Sequence, residues 1–380
     1  MLAWEVVFWI CAGLLAYAQA GYPLVLAALA RLRRAPAVAP APADAGPTSL
    51  PTVSLIIAAY DEEAVIARKV ANALALDYPR DMLEIVVASD GSADATAQEA
   101  RRAGADVVLE LERGGKIRAQ DAAVARSRGE IVAFSDANST WEPDALRALV
   151  AAFDDPGVGY ACGQVRFVND AGTNQEGLYW RYEMALRALE SRLVSITAGN
   201  GAIYATRRAA YIEVDPIMGH DLSFPFNMVK RGWRAVYVPT ALASERMVPS
   251  IEGEFARKRR MMSHTWPIVL RGGLLSPRGY PPLYAVMIVS HRVLRYLAPF
   301  LHVGALLASF VLGAASTFYA VLLALQLALV VAALMARIWP LRPLLVARYY
   351  VLTTASVAAG LWDWLRHGTP AAWEPAEGTR

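Results

Sequence analysis

Forty-one consecutive residues between Arg295 and Arg337 contain no Asp, Glu, Lys or Arg. A bilayer core is crossed by about 20 apolar residues in a helix, so this run has the length of two spans. Gly313 to Thr317 is the natural joint between them. A second uncharged run, Val6 to Ala30, covers 25 positions and is followed by Arg31, Arg33 and Arg34. Basic residues mark the cytoplasmic end of a span, so this segment reads as an anchor entering from outside. A signal peptide would be cleaved at Ala18-Gln19-Ala20. No basic residue precedes the run, however, and it continues ten residues further.

Between these flanks the composition changes. Residues 51–280 hold 27 Lys/Arg and 29 Asp/Glu, a net of −2 within a chain of net charge +3. The whole chain is 56% hydrophobic and only 19% charged, against about 25% charged in ordinary soluble proteins. The pattern excludes a fully soluble enzyme, a disordered chain and a disulfide scaffold. It also gives no electrostatic footprint for nucleic acid. Cys11 and Cys162 lie far apart, as suits a reducing compartment, and form no zinc pattern.

The expected organisation is an anchor over 1–34, an Ala/Pro-rich spacer over 35–51 and a soluble domain over 52–250. Interfacial helices follow over 251–295, then membrane helices over 296–365 and a tail over 366–380. Pro281 to Arg295 is apolar but carries His291, Arg292 and Arg295, which suggests an interfacial stretch. The last apolar run, Tyr349 to Trp362, has 14 residues, as short as an interfacial or re-entrant helix.

In the soluble domain, Thr52 to Ala59 is an apolar, β-branched run of the kind expected in a buried parallel strand. Helical spacing follows over Asp61 to Leu76. Strands are then predicted at Leu83–Ala88, Asp106–Leu111 and Gly129–Phe134, with helices at Ala93–Ala103 and from Lys116 to Ser127. Alternating strands and helices predict an α/β fold, a mostly parallel sheet with helices on both faces. In such sheets ligands bind beyond the carboxyl ends of the strands. There the sequence places Tyr60-Asp61-Glu62, Asp90 and Asp136, three acidic clusters on one rim. No G-x-G-x-x-G follows the first strand, which argues against a dinucleotide dehydrogenase. Converging carboxylates suit a hard divalent cation with a phosphorylated ligand. The plainer alternatives are first-turn helix residues for Asp61 and Glu62 and a helix cap for Asp90.

Ala-Ala-Tyr-Asp-Glu-Glu (58–63), Ala-Ser-Asp-Gly-Ser-Ala-Asp-Ala-Thr (88–96) and Phe-Ser-Asp-Ala-Asn-Ser (134–139) together resemble a membrane-bound family 2 glycosyltransferase of the cellulose and hyaluronan synthase-like group. The resemblance covers about residues 52 to 270 and implies a Rossmann-like GT-A domain flanked by transmembrane and interfacial helices. It implies that Tyr60, Asp61, Glu62 and Asp90 hold the nucleoside of a sugar nucleotide. Lys116, in Gly-Gly-Lys-Ile-Arg-Ala, resembles the family's G-K-x-x-A element near the nucleotide. Asp136 and Asn138 stand at the D-x-D motif that binds Mg2+ or Mn2+, with Asn138 a departure from the family. Gly219-His220-Asp221 resembles the E-D or D-D motif, which makes Asp221 the general base and His220 a second departure. Arg257 and Arg260 fall where the family carries R-x-x-R, and guanidinium forks match phosphate oxygens. Lys258 and Arg259 between them read as a membrane-surface patch. Met261 stands where polymer-making relatives commonly carry an aromatic. Tyr179-Trp180-Arg181-Tyr182-Glu183 suits an interface, an acceptor platform or plain packing.

The implied activity is an inverting, metal-dependent transfer from a nucleoside diphosphate sugar, UDP-linked, to a lipid or glycan acceptor at the bilayer. The implied setting is the cytoplasmic face of a bacterial cell membrane, as an integral membrane protein, with a homo-oligomer also admitted. The competing expectation is an inactive sugar-nucleotide-binding scaffold, kept open by Asn138 and His220.

Overall fold

The computed structural model describes residues 1–32, 50–168, 176–246 and 250–372, without the side chains of 176–179. Arg33 and Arg34, almost all of the Ala/Pro spacer, the Tyr179 side chain and most of the tail lie outside the described residues. The chain divides into two compact units. One comprises Met1–Ala28, Pro249–Trp266 and Ala285–Gly368; the other comprises Leu29–Val248, Pro267–Tyr284 and Thr369–Arg380.

The second unit is built on one eight-stranded sheet: β1 (Val53–Ala59), β2 (Leu83–Asp90), β3 (Val107–Leu111), β4 (Ile131–Asp136), β5 (Thr140–Trp141), β6 (Val158–Val168), β7 (Ile203–Arg207) and β8 (Arg234–Arg246). Their order is β3-β2-β1-β4-β7-β6-β8-β5. The half read from the sequence, β3-β2-β1-β4, is wholly parallel. The sheet then turns mixed, because β7 runs antiparallel to both β4 and β6, while β8 runs parallel to β6 and antiparallel to β5. Six of the eight strands therefore run in one direction, and β7 and β5 run against them. The direction of β8 follows from two reversals: its carboxyl end reaches the same rim as those of β1 and β4. β7 starts from that rim.

The core explains the sequence pattern. Every residue of β1 is buried, and so is all of β2 except Glu84, because helices cover both faces. One face packs Leu55, Ile57, Ile85, Val87 and Ala133 against Ile66, Val70 and Leu149. The other packs Ile56, Val86, Val132 and Phe134 against Ala119, Ala123 and Phe224. The helix Glu63–Leu74 begins two residues later than the spacing predicted.

The first unit is helical. Four helices have the length and apolar composition of membrane spans: Leu2–Leu32, Pro282–Gly313, Thr317–Met335 and Arg342–His367. Two expectations change here. The stretch read as interfacial, Pro281 to Arg295, is continuous with the helix that follows it. The 14-residue run is the middle of a 26-residue helix. Arg348, which ended that run in the sequence, is buried and donates to Glu252 Oε1, so a charge count stops the helix too early. Two π-helical turns, Tyr17–Gly21 and Ile288–Val293, interrupt the first and second of these helices. The Tyr17 hydroxyl lies 2.9 Å from Ser290 Oγ.

Candidate active site

The rim residues come from three strand ends and the loops that interlock above them. Asp61 leaves β1 with φ 50°, a left-handed conformation that an aspartate tolerates better than most side chains. What holds it there is visible: its N–H donates to Ser92 Oγ (3.1 Å), and its Oδ1 accepts the Ala93 N–H (2.8 Å). The Glu62 N–H donates to Thr96 Oγ1 (2.7 Å), and Glu63 accepts the Ala95 N–H (3.0 Å). The two motif loops thus hold each other. Glu62 itself is 2% exposed at the start of its helix, beneath the surface on which Tyr60 and Asp61 lie.

Asp90 does not cap the helix after it. The Thr96 N–H at that helix start goes to Asp94 Oδ1 (3.0 Å) instead. The Asp90 carboxylate turns the other way and accepts the N–H groups of Gly114 (2.7 Å) and Gly115 (2.9 Å). Gly115 has φ 95°, and an added Cβ would strike the Ala371 carbonyl, so only glycine fits this turn. The turn delivers Lys116 to the rim. It also places Arg113, absent from the sequence reading, with its guanidinium 3.0 Å from the Tyr60 ring centroid and 3.5 Å from Asp90 Oδ2. Ala58, Ala59, Tyr60, Asp90 and Lys116 line a small cleft.

Lys116 forms an ion pair with Asp136 at the end of β4. Burial opposes the charge on Lys116, but Asp136, Asp221 and Glu245 outweigh it and hold its pKa above the ordinary lysine value. Asp136 is the carboxylate in direct contact with this ammonium, and Asp221 and Glu245 act on it through their charge. Glu245 was not anticipated from sequence; its signal is its place near the carboxyl end of β8, at the same rim. Lys69, 3% exposed, stands behind this group over the Trp141 ring at 5.1 Å. Burial lowers its pKa to about 7 against the pull of Asp136 and Glu245.

Asp136 and Asn138 both offer hard oxygen donors. Among the described residues no three His, Cys, Asp or Glu side chains cluster closely enough to hold an ion alone. Two protein oxygens suit Mg2+ or Mn2+, since Mg2+ is ordinarily held by one or two carboxylates together with substrate phosphates. The donor set fits such an ion.

Asp221 lies in the first turn of the helix His220–Lys230. Its neighbour His220 is 2% exposed, stacked on Phe224 at 3.9 Å, with Nδ1 2.8 Å from the Tyr204 hydroxyl. Tyr204 in turn stacks on Phe134 at 4.7 Å. Burial, aided by the Lys116 charge, pushes the imidazole pKa well below 6.5, so it stays neutral. An unfolded chain would bind that proton below about pH 6.5 and the folded chain would not, so His220 contributes a loss of stability as pH falls through that value. The thermal midpoint of His220→Phe is accordingly expected to fall less between pH 7 and pH 5 than the parent's. Equal slopes would mean that the buried imidazole takes up its proton in the fold.

Arg257 and Arg260 lie on the helix Ile251–Leu270, in the portion assigned to the other unit. Arg257 forks onto Glu254 with two bonds of 2.7 Å. In the patch read at Lys258 and Arg259, both side chains have partners within this unit. Lys258 donates to the Tyr349 hydroxyl (2.6 Å), and Arg259 pairs with Asp363 (2.6 Å).

The α/β domain, with carboxylates and one lysine at the ends of its parallel strands, is GT-A-like. Residues 54–214 match the family described as Glycosyl transferase family 2. The chain is similar to a mannosyltransferase from Pyrobaculum calidifontis solved with GDP-Man and Mn2+. That match has a TM-score of 0.72 and 26% identity, and it covers 95% of this chain and 99% of the other. Among curated relatives, an N-acetylglucosaminyltransferase of Rhizobium sp. is 28% identical over 65% of this chain and 59% of its own length. The beta-monoglucosyldiacylglycerol synthase of Synechocystis sp. is 31% identical over 53% and 45% respectively. The chain thus spans about half of the length of these relatives.

Proposed function

We propose that the protein transfers a glycosyl group, with inversion, from a nucleoside diphosphate sugar to an acceptor held at a membrane. The observation that carries this reading is the ion pair of Lys116 with Asp136 at the end of β4, beside the cleft lined by Tyr60, Asp90 and Lys116. In it, Asp221 removes the acceptor hydroxyl proton while that oxygen attacks the anomeric carbon. The bond from that carbon to the diphosphate breaks, and its electron pair leaves with the diphosphate. Tyr60, Asp61 and Asp90 hold the nucleoside, with Glu62 bracing the loop from below, and Lys116 lies at the phosphates. Asp136 and Asn138 would hold Mg2+ or Mn2+, which neutralises phosphate charge when bound. Arg257 and Arg260 are assigned to the leaving diphosphate. The acceptor is a lipid or a glycan, and the four apolar helices support a bilayer location. The two departures from the family leave this chemistry available. Asn138 still carries an oxygen donor, and His220 fills an aromatic box rather than holding a charge.

One experiment tests activity and sidedness together. Sugar nucleotides do not cross bilayers, so inverted vesicles should release nucleoside diphosphate from an added donor and sealed right-side-out vesicles should not. The panel holds UDP-sugars, the expected class, and GDP-sugars, because the solved relative was captured with GDP-Man. Mass spectrometry of the product names the acceptor. Donor binding without turnover in every arm would leave the scaffold reading standing. Turnover by right-side-out vesicles would reverse the orientation.

A further inference from the structure

The helix Glu176–Leu193 carries three buried charged residues, Glu183 and, one turn apart beyond it, Arg187 (4% exposed) and Glu190 (fully buried). Neither Arg187 nor Glu190 belongs to a motif discussed above. Both reach the same short segment, residues 196–201, that leads into β7. Glu190 Oε2 accepts the N–H and the hydroxyl of Thr197 (3.1 and 2.9 Å). Arg187 Nη2 donates to the Gly199 carbonyl (3.0 Å), while its Nη1 lies 4.0 Å from Cys162 Sγ. The segment's far end is fixed by Asn200, whose amide donates to the Gly163 carbonyl and accepts the N–H groups of Ala202 and Ile203.

This segment touches both sides of the proposed reaction centre. The Gly199 N–H donates to the Asp221 carbonyl at 2.6 Å, a bond from the segment to the first turn of the helix bearing the base. A Cβ built on Gly201 would stand 3.4 Å from Lys116 Nζ and 3.9 Å from Asp136 Oδ2. Gly199 cannot move inward, because the Tyr160 hydroxyl stands within 2.0 Å of where its Cβ would be. The segment is therefore held from below by Tyr160, at one end by Glu190, and at its middle by Arg187.

We propose that Arg187 is a positioning residue for Asp221, acting through Gly199, with Glu190 fixing the same segment one turn along. A buried guanidinium suits this task better than an ammonium, since its planar fork directs one donor at Gly199 while the rest of the group packs against Cys162 and the Tyr237 ring (5.7 Å). A displacement of about 1 Å at a catalytic group can cost about 100-fold in rate. Arg187 touches neither the cleft lining nor the ion pair, so its loss should be read in turnover and not in donor binding.

The inference rests on Asp221 as base, and the test separates the two. Arg187→Met should keep donor affinity within about threefold, measured by calorimetry, and lower kcat about 30- to 100-fold. Arg187→Lys, which keeps a donor in reach of Gly199, should recover part of that loss; it also carries the test if the Met variant does not fold. In an Asp221→Asn background, Arg187→Met should change the residual rate less than about twofold, because residues acting through one another are not additive. Full additivity, or parallel loss of donor binding and turnover, would overturn the positioning role. If Asp221→Asn alone keeps the parental rate, the base assignment fails and the effect of Arg187→Met still reports on the segment by itself.

Discussion

Asp221→Asn should bind donor with near-parental affinity and transfer about 100- to 10,000-fold more slowly, the ordinary cost of losing a positioned general base. The substitution is nearly isosteric and leaves every backbone bond of the helix start intact, including the one from Gly199. It removes one charge that acts on Lys116, but Asp136 keeps the direct ion pair. The nucleoside surface, with Asp90 bonded to Gly114 and Gly115, is untouched. The measurement pairs calorimetric donor affinity with initial transfer rates. Retention of more than about a tenth of the rate would remove Asp221 from the base role, and so would loss of donor binding in step with turnover. His220→Ala is no gentle control beside it, since it opens a hole between Phe224 and Tyr204; the imidazole is a packing element of that helix start.

The first half of the sheet was legible because its physics is local. β1, β2 and β4 are short apolar runs buried on both faces, and each runs into polar residues at its carboxyl end. Strand-end position alone therefore found Asp61, Asp90 and Asp136. The second half was not legible, because its order depends on pairings between β6, β7 and β8 that are distant in sequence. Glu245 reaches the rim only through that pairing, and no local pattern marks it. Arg113 and the segment 196–201 escaped for a related reason: each acts by where a turn or a helix places it, not by a motif. Asp90, for which the sequence left a helix cap open, instead accepts two glycine N–H groups that no local pattern marks. In the helical unit, Arg348 and Asp363 flank the apolar run Tyr349 to Trp362. Each is paired, with Glu252 and Arg259, inside a helix longer than the run suggested.

Asp136→Asn is the second large effect expected, and the structure gives it two components. The carboxylate is one of the two oxygen donors assigned to the divalent ion, and removing one well-placed electrostatic partner commonly costs about 100- to 1,000-fold in turnover. It is also the ion-pair partner of Lys116, whose charge burial already opposes. The variant should therefore fold with a lowered thermal midpoint while losing metal-dependent transfer. Affinity for Mn2+ in the presence of nucleoside diphosphate, read by calorimetry, should fall with it, which separates loss of the ion from loss of the lysine's partner. Asn138→Asp supplies the opposite change. It adds a carboxylate two residues away without touching Lys116, so it should tighten Mn2+ binding at an unchanged or slightly altered midpoint. Parental metal affinity in Asp136→Asn, or weaker affinity in Asn138→Asp, would mean that the ion is held elsewhere on the rim.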